Sequence, residues 1–191
     1  MLKPLTAEKF CDPYYANGLA EGVEKVVQAE FPVSFDVVSS RLLEMAGITK
    51  NSAKLKARCE YLIKLSKVPY EVQHLTSDGS DEGSNILWID KETADRITPF
   101  YRIPIPGEKP RKAADIAIQE AARAVIDVAE AQLGVPRESL ITETAKALGF
   151  TRAASNTDCY KLCDRAIDFA FARNALSIDD NGFITPADTN L

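Results

Sequence analysis

The chain has 191 residues, of which 46% are hydrophobic and 27% are charged, and this composition excludes a disordered protein. A formal net charge of −5 argues against a protein that coats nucleic acid with its whole surface. No apolar stretch approaches the ~20 residues of a membrane helix, and the N-terminal residues lack the apolar core of a signal peptide. We therefore expect a globular cytoplasmic protein with no membrane partner.

The first half of the chain predicts three helices and a β-hairpin. Apolar residues recur at helical spacing in the first helix, and Phe31-Pro32 ends it because proline restricts the residue before it to extended backbone. Gly47 ends the second helix, which Ser34 or Asp36 can cap. A polar loop at 76–85 has little to bury and is predicted to be mobile. The predicted elements are helices at 19–30, 37–46 and 51–66 and strands at 68–72 and 86–89.

The second half predicts the same order of elements. A shift of 102 positions places Val33 on Val135 and Gly47 on Gly149, which indicates an internal repeat. A glycine between two short helices is typical of a helix-turn-helix, and Asn181-Gly182 predicts a tight hairpin turn. The predicted elements are helices at 113–133, 139–148 and 156–174 and strands at 176–178 and 182–185.

Three helices followed by a β-hairpin are typical of a winged helix. We therefore predict a mainly α-helical protein with small β-hairpins (α+β), built from tandem winged-helix, helix-turn-helix-like units. Domain 1 is expected at 1–97 and domain 2 at 113–191, joined by a semi-rigid proline-rich linker at 98–112. The predicted cores are Val26, Leu42, Leu55, Leu62 and Trp88 in the first domain, and Val125, Leu148, Leu162, Ile167 and Phe183 in the second.

Residues that could support catalysis or metal binding are few. Of the four cysteines, Cys11, Cys59, Cys159 and Cys163, only the last two are closely spaced, so buried free thiols are favoured over a zinc site. His74 is the only histidine and belongs to no nucleophile motif. The sequence has no glycine-rich phosphate loop, nucleophile elbow or clustered metal ligands. We predict a protein without enzymatic activity, cofactor or metal.

Positive charge is concentrated around the third helix. From Arg41 to Lys67 the chain has seven basic residues and two acidic ones. Lysine and arginine there could contact phosphates, and polar residues at the helix start could meet a base edge or a backbone oxygen; a solvated helix face is the alternative. The basic residues of the corresponding second-half helix accompany three aspartates, which favours protein binding or packing there. The candidate nucleic-acid-binding residues are Lys50, Asn51, Ser52, Lys54, Lys56, Arg58 and Arg152.

Three segments carry a resemblance to a known family: GVEKVVQAEFPV at 22–33, AGITK at 46–50 and ILW at 86–88. They resemble the uncharacterised C-terminal domain of large bacterial superfamily I helicase-like proteins, in which a restriction-endonuclease-like nuclease domain often follows the helicase core. The resemblance covers 19–105 best and 140–186 more loosely. It implies a non-catalytic accessory domain of a nucleic-acid-processing enzyme. Neither a Walker motif nor nuclease carboxylates are present, so neither activity can be assigned to this chain.

Two functions follow as hypotheses. The first is a non-catalytic module that binds duplex or junction DNA for the helicase or nuclease domains of a parent protein or of another protein. The second is a protein–protein docking module, built on winged-helix scaffolds, whose acidic surface meets a basic partner. Salt separates them, because contacts to phosphates weaken steeply with ionic strength and apolar docking does not.

Overall fold

The computed structural model describes residues 4–50, 52–107 and 110–187, which form mainly α-helices with a few short strands. This confirms the predicted α+β class. The chain divides into two compact units, Met1–Val72 with Ser84–Lys91, and Gln73–Gly83 with Glu92–Leu191. In this division the proline-rich segment 98–112 is part of the second unit. Within the described ranges, no helix has both the length and the apolar character that a membrane span requires.

The first unit begins with two short helical segments, followed by three longer helices and the strands. Its elements are α1 (Ala7–Cys11), a 3-10 turn (Pro13–Tyr15), α2 (Ala16–Glu30), β1 (Val33–Ser34), α3 (Phe35–Met45), α4 (Ala53–Ser66), β2 (Tyr70–Gln73, whose last residue belongs to the second unit) and β3 (Ser84–Leu87). Ser34 caps α3, since its Oγ accepts a hydrogen bond from Val37 N at 3.2 Å. Helix α4 begins later than predicted because Ser52 is its N-cap and accepts from Leu55 N at 3.4 Å.

The strands of this unit pair in the order β1–β3–β2, with Val33 opposite Leu87 in the antiparallel β1–β3 ladder. Helices α2, α3 and α4 enclose an apolar core. All five predicted core residues of this half are buried, and Trp88, at the end of β3, retains only 1% of its surface exposed. The apolar periodicity therefore identified the buried faces of the helices correctly.

The second unit contains α5 (Lys91–Ala94), a 3-10 turn (Ala113–Asp115), α6 (Ile118–Gln132), α7 (Arg137–Ala147), α8 (Asp158–Ala172), β4 (Leu176–Ile178) and β5 (Ile184–Pro186), except that Lys91 belongs to the first unit. The helix predicted from 113 starts only at Ile118. The first N–H groups of a helix have no acceptor within the helix. For Ile118 N the acceptor is Gln73 Oε1, at 2.7 Å, and Gln73 Nε2 in turn donates to Ile116 O at 2.9 Å.

Phe183 is the one predicted core residue that is wrong. Val125, Leu148, Leu162 and Ile167 are buried, whereas Phe183 is 40% exposed. Phe183 directly precedes β5, next to Ile184, and successive residues of a strand point to opposite faces. Ile184 therefore takes the buried position, where it forms a β-bridge with Val135, in addition to its pairing with Ile178 in the antiparallel β4–β5 hairpin.

Two helical pairs coincide at one offset. Helices α2 and α6 begin and end 102 positions apart, and so do α3 and α7. The turns after α3 and α7 also use the same backbone hydrogen bonds, since Gly47 N donates to Glu44 O and Gly149 N donates to Lys146 O, both at 2.9 Å. Both glycines have positive φ, 74° and 93°.

A proline covers each of these turn glycines. A Cβ added to Gly47 would lie 3.3 Å from Pro4 Cβ, and one added to Gly149 would lie only 2.5 Å from Pro104 Cγ. The second turn therefore leaves no room for any side chain.

The proline-rich segment is held to α6 by Glu120, whose side chain is 1% exposed. The carboxylate accepts from Arg102 N at 2.9 Å and forms ion pairs with Arg102 and Arg111, both at 2.7 Å. Burial opposes ionisation, but hydrogen bonds from Arg111 and the charges of both arginines lower the pKa of Glu120. The described parts of this segment, 98–107 and 110–112, are thus anchored to α6 through the buried carboxylate of Glu120.

The loop between β2 and β3 is organised by Asp81. Its carboxylate accepts hydrogen bonds from the N–H groups of Leu75, Thr76 and Gly83 at 3.1–3.3 Å, and from Thr76 Oγ1 at 2.5 Å. Some burial opposes ionisation, but these hydrogen bonds hold the pKa of Asp81 well below its usual range. The tip of the loop has no large apolar side chain, as the sequence predicted, but the Asp81 carboxylate joins its two ends through these hydrogen bonds.

Candidate nucleic-acid interface

Helix α4 has one side that packs into the core and an opposite side that is exposed. Leu55, Cys59, Leu62 and Ile63 point into the core of the first unit. Because a helix turns by about 100° per residue, side chains spaced three and four apart share a side. Four exposed residues have this spacing on the side away from the core, and we call them the α4 stripe: Lys54, Ala57, Tyr61 and Lys64.

The lysines predicted to contact phosphates are exposed. Lys50 lies in the segment before α4, so it does not continue the helical row that a start at residue 51 implied. Lys54 belongs to the α4 stripe, and Lys56 lies on a different side of the helix, about 200° around it. Among the residues that the structure describes, neither Lys50 nor Lys56 forms an ion pair. Hydrogen bonds to its own N–H and to Thr6 lower the pKa of Glu8, and the charge of Lys54 adds to this effect.

The polar candidates at the start of α4 have different outcomes. Ser52 is exposed, and its Oγ serves as the N-cap acceptor of the helix. Asn51 lies outside the described residues. Arg152 is exposed too, but it belongs to the second unit, in the loop between α7 and α8. The structure therefore places five of the seven candidates in or next to α4.

Arg58 has a structural task that its sequence position did not reveal. Its Nε donates to Phe10 O at 3.1 Å, and its Nη2 donates to Asp12 O at 2.9 Å. Its guanidinium carbon also lies 5.2 Å from the centre of the Tyr61 ring. Arg58 thus fastens α1 and the following turn to α4, so its replacement would disturb the fold as well as the surface.

Tyr61 is the residue of this surface that sequence reasoning missed. It retains 51% of its surface exposed. The signal was present in the sequence, because Lys54, Ala57, Tyr61 and Lys64 have the spacing of a single helix face. A prediction based on basic residues alone does not include a tyrosine.

The corresponding helix of the second unit, α8, is more acidic than α4, and Arg137 of α7 pairs with two of its aspartates. Arg137 pairs with Asp164 at 2.6 Å and with Asp168 at 2.7 Å. Burial opposes ionisation of Arg137, but its hydrogen bonds with these aspartates raise its pKa. Tyr160 Oη donates to Glu138 Oε1 at 2.8 Å. Helix α8 itself carries two basic residues, Lys161 and Arg165, against three aspartates, and Lys161 pairs with Asp158 at 3.7 Å, whereas α4 carries four basic residues against one glutamate.

Candidate metal ligands do not come together. Among the described residues, no group of three or more histidine, cysteine, aspartate or glutamate side chains could hold a metal ion. All four cysteines are free thiols, and Cys11 alone is not fully buried. Burial raises the pKa of Cys59 to about 11 and that of Cys163 to about 12, so both remain protonated at neutral pH. His74 Nδ1 lies 3.2 Å from Asp81 O, inside the loop described above.

Comparison with known proteins gives no match to a family model, to a curated protein or to a solved structure. The function must therefore be inferred from the residues and their geometry.

Proposed function

We propose that this protein is a non-catalytic accessory module that binds duplex or junction DNA, and that each unit is a winged helix. The order helix, strand, helix, helix, strand, strand in the first unit, with the sheet order β1–β3–β2, supports the winged-helix assignment. In the second unit the bridge between Val135 and Ile184 corresponds to the β1–β3 pairing. The common offset of α2/α6 and α3/α7 supports a tandem repeat.

The observation that carries DNA binding is the difference in charge between α4, with four basic residues and one glutamate, and α8, with two basic residues and three aspartates. Lys54 and Lys56 are exposed on α4, and Lys50 is exposed just before it. In a helix-turn-helix, the helix that follows the turn is the recognition helix. Exposed lysines of this kind contact phosphates, whereas α8 carries only two basic residues against three aspartates. The first unit is therefore the DNA-binding one.

The association with a helicase or nuclease rests on the resemblance of residues 19–105 to the C-terminal domain of helicase-like proteins. The chain itself carries no motif for either reaction. Its partners are thus DNA and the catalytic domains of a parent protein or of another protein, and no cofactor is needed for this role.

The test replaces three lysines together in the full chain: Lys50→Gln, Lys54→Gln and Lys56→Gln. Arg58 is kept, because it holds backbone carbonyls. Measured by fluorescence anisotropy at low salt, affinity for a labelled duplex should fall by about tenfold or more. The slope of log affinity against log salt should become shallower by about 0.9 for each phosphate that the variant no longer neutralises.

A matched control removes three positive charges elsewhere: Lys25→Gln, Lys91→Gln and Lys112→Gln, all at exposed positions. It should bind DNA as the wild type does, apart from a small effect of net charge. Both triple variants should keep the thermal midpoint, because exposed charges contribute little to folding. Equal DNA affinity of the wild type and the α4 variant would remove this proposal.

Protein docking is the second candidate, and one observation favours it for the second unit. Large apolar side chains are exposed near its hairpin: Leu133 at 92%, Ile178 at 64% and Phe183 at 40%. Binding through such a surface would persist at high salt, in contrast to the phosphate contacts of α4. A protein that fails to bind DNA at low salt would leave docking as the better account.

A further inference from the structure

The α4 stripe combines an aromatic ring with a lysine on each side. Tyr61 follows Ala57 by one turn and precedes Lys64 by three residues, while Lys54 lies two turns before it. The turn before the ring places only a methyl group from Ala57 and the guanidinium of Arg58 beside it. The half-exposed ring of Tyr61 is thus the only aromatic surface of the stripe.

Arg58 limits the motion of this ring. Two backbone carbonyls fix the guanidinium, which lies 5.2 Å from the ring centre. A cation at that distance attracts the aromatic face, so the ring is already oriented before a ligand arrives. A side chain held in this way loses less conformational entropy on binding than a free one.

A flat exposed ring flanked by lysines matches the chemistry of an unpaired nucleic-acid strand. Proteins bind single strands by stacking bases on aromatic side chains and by pairing phosphates with a positive groove. Bases within a closed duplex are stacked on one another and offer no free face. The stripe therefore provides what an unpaired base needs and a blunt duplex cannot use.

We propose, on the basis of the DNA-binding function above, that the α4 stripe binds single-stranded DNA, such as the unpaired arm of a junction. A nucleobase stacks on Tyr61, and the phosphates on either side contact Lys54 and Lys64. The first unit accordingly prefers forked DNA with an unpaired arm to blunt duplex DNA of the same sequence.

The test compares Tyr61→Leu with Tyr61→Phe in the full chain. Phenylalanine keeps the stacking face and leucine removes it. By anisotropy, Tyr61→Leu should weaken binding of labelled oligo-dT and of a fork by roughly 5- to 100-fold, and binding of blunt duplex by less than about twofold. Tyr61→Phe should bind all three as the wild type does.

Tyr70→Leu is the matched control, because Tyr70 is another exposed tyrosine with one ring neighbour, Phe35 at 5.2 Å. It should leave binding of oligo-dT unchanged. Lys64→Gln, at an exposed position away from the core, should weaken binding of oligo-dT too, and it provides a second test should Tyr61→Leu lower the thermal midpoint.

Three results would overturn the inference: no loss for oligo-dT in Tyr61→Leu, an equal loss for oligo-dT and duplex, or wild-type affinity for blunt duplex that equals that for the fork. Tighter binding of oligo-U than of oligo-dT would overturn DNA as the partner. These failures are distinguishable from failure of the proposed function, which is decided by the Lys50, Lys54 and Lys56 variant on duplex DNA.

Discussion

Replacement of Gly149 by alanine tests whether the turn between α7 and α8 depends on close contact with Pro104. The new methyl group would sit on a backbone with φ of +93° and 2.5 Å from Pro104 Cγ. Left-handed backbone costs an alanine about 1–2 kcal/mol. The proline must also move by about 1 Å to reach an ordinary carbon–carbon distance, and such overpacking costs about 1–3 kcal/mol. Gly149→Ala should therefore destabilise the second unit by about 2–5 kcal/mol.

Gly47→Ala is the matched comparison in the first unit. Its backbone is similar, with φ of +74°, but Pro4 Cβ lies at 3.3 Å and needs to move only slightly. We expect a cost of about 1–2 kcal/mol there. Urea unfolding followed by far-UV circular dichroism measures both variants, and fluorescence of Trp88, the single tryptophan, follows the first unit.

The close contact itself can be isolated by a double-mutant cycle. Pro104→Ala removes the Cγ atom and should recover about 1 kcal/mol or more of the loss in Gly149→Ala, because the two residues are in contact. A cost for Gly149→Ala no larger than that for Gly47→Ala, or an absence of coupling to Pro104, would refute the reasoning.

Three further changes test other parts of the structure. Glu120→Gln should lower the free energy of unfolding by about 2–4 kcal/mol, since it leaves two partly buried arginines without their carboxylate. Because the folded-state pKa of Glu120 is lowered, the wild type should lose this contribution as the pH falls below about 4, and an acid titration that is the same for both proteins would contradict it. Asp81→Ala should accelerate amide hydrogen exchange at Thr76, and unchanged protection would show that the carboxylate does not organise the loop. Phe183→Ser should alter stability by no more than about 0.5 kcal/mol, whereas Ile184→Ser should cost about 3 kcal/mol or more; equal costs in thermal unfolding would contradict the strand register.

Local sequence signals predicted the helices well because their causes are local. Apolar spacing identified the buried sides of α2, α3 and α4, and Phe31-Pro32 and Gly47 marked helix ends through their own backbone restrictions. The start of α6 was missed, since residues 113–117 are as apolar as the helix itself. The helix begins at Ile118, whose N–H donates a hydrogen bond to Gln73, a residue that lies 45 positions earlier in the chain.

The same distinction explains the outcome for the candidate site. Exposure of Lys54 and Lys56 follows from helical periodicity, so the sequence was sufficient to predict it. Arg58 donates to the carbonyls of Phe10 and Asp12, which lie 48 and 46 positions earlier in the chain, so no local sequence pattern predicts these hydrogen bonds. The Asn181-Gly182 turn located the second hairpin, but a turn does not say which strand face is buried, and Phe183 was therefore assigned to the wrong side.

The chain passes between its two units three times, after Val72, Gly83 and Lys91. Dissection of the protein into fragments is therefore constrained. A cut after Lys91 leaves the first unit whole but takes Gln73 away from Ile118, and with it the acceptor for the first N–H of α6. Expressed alone, the fragment from residue 92 onwards should remain incompletely folded, and a fragment for study of the second unit has to start no later than Gln73.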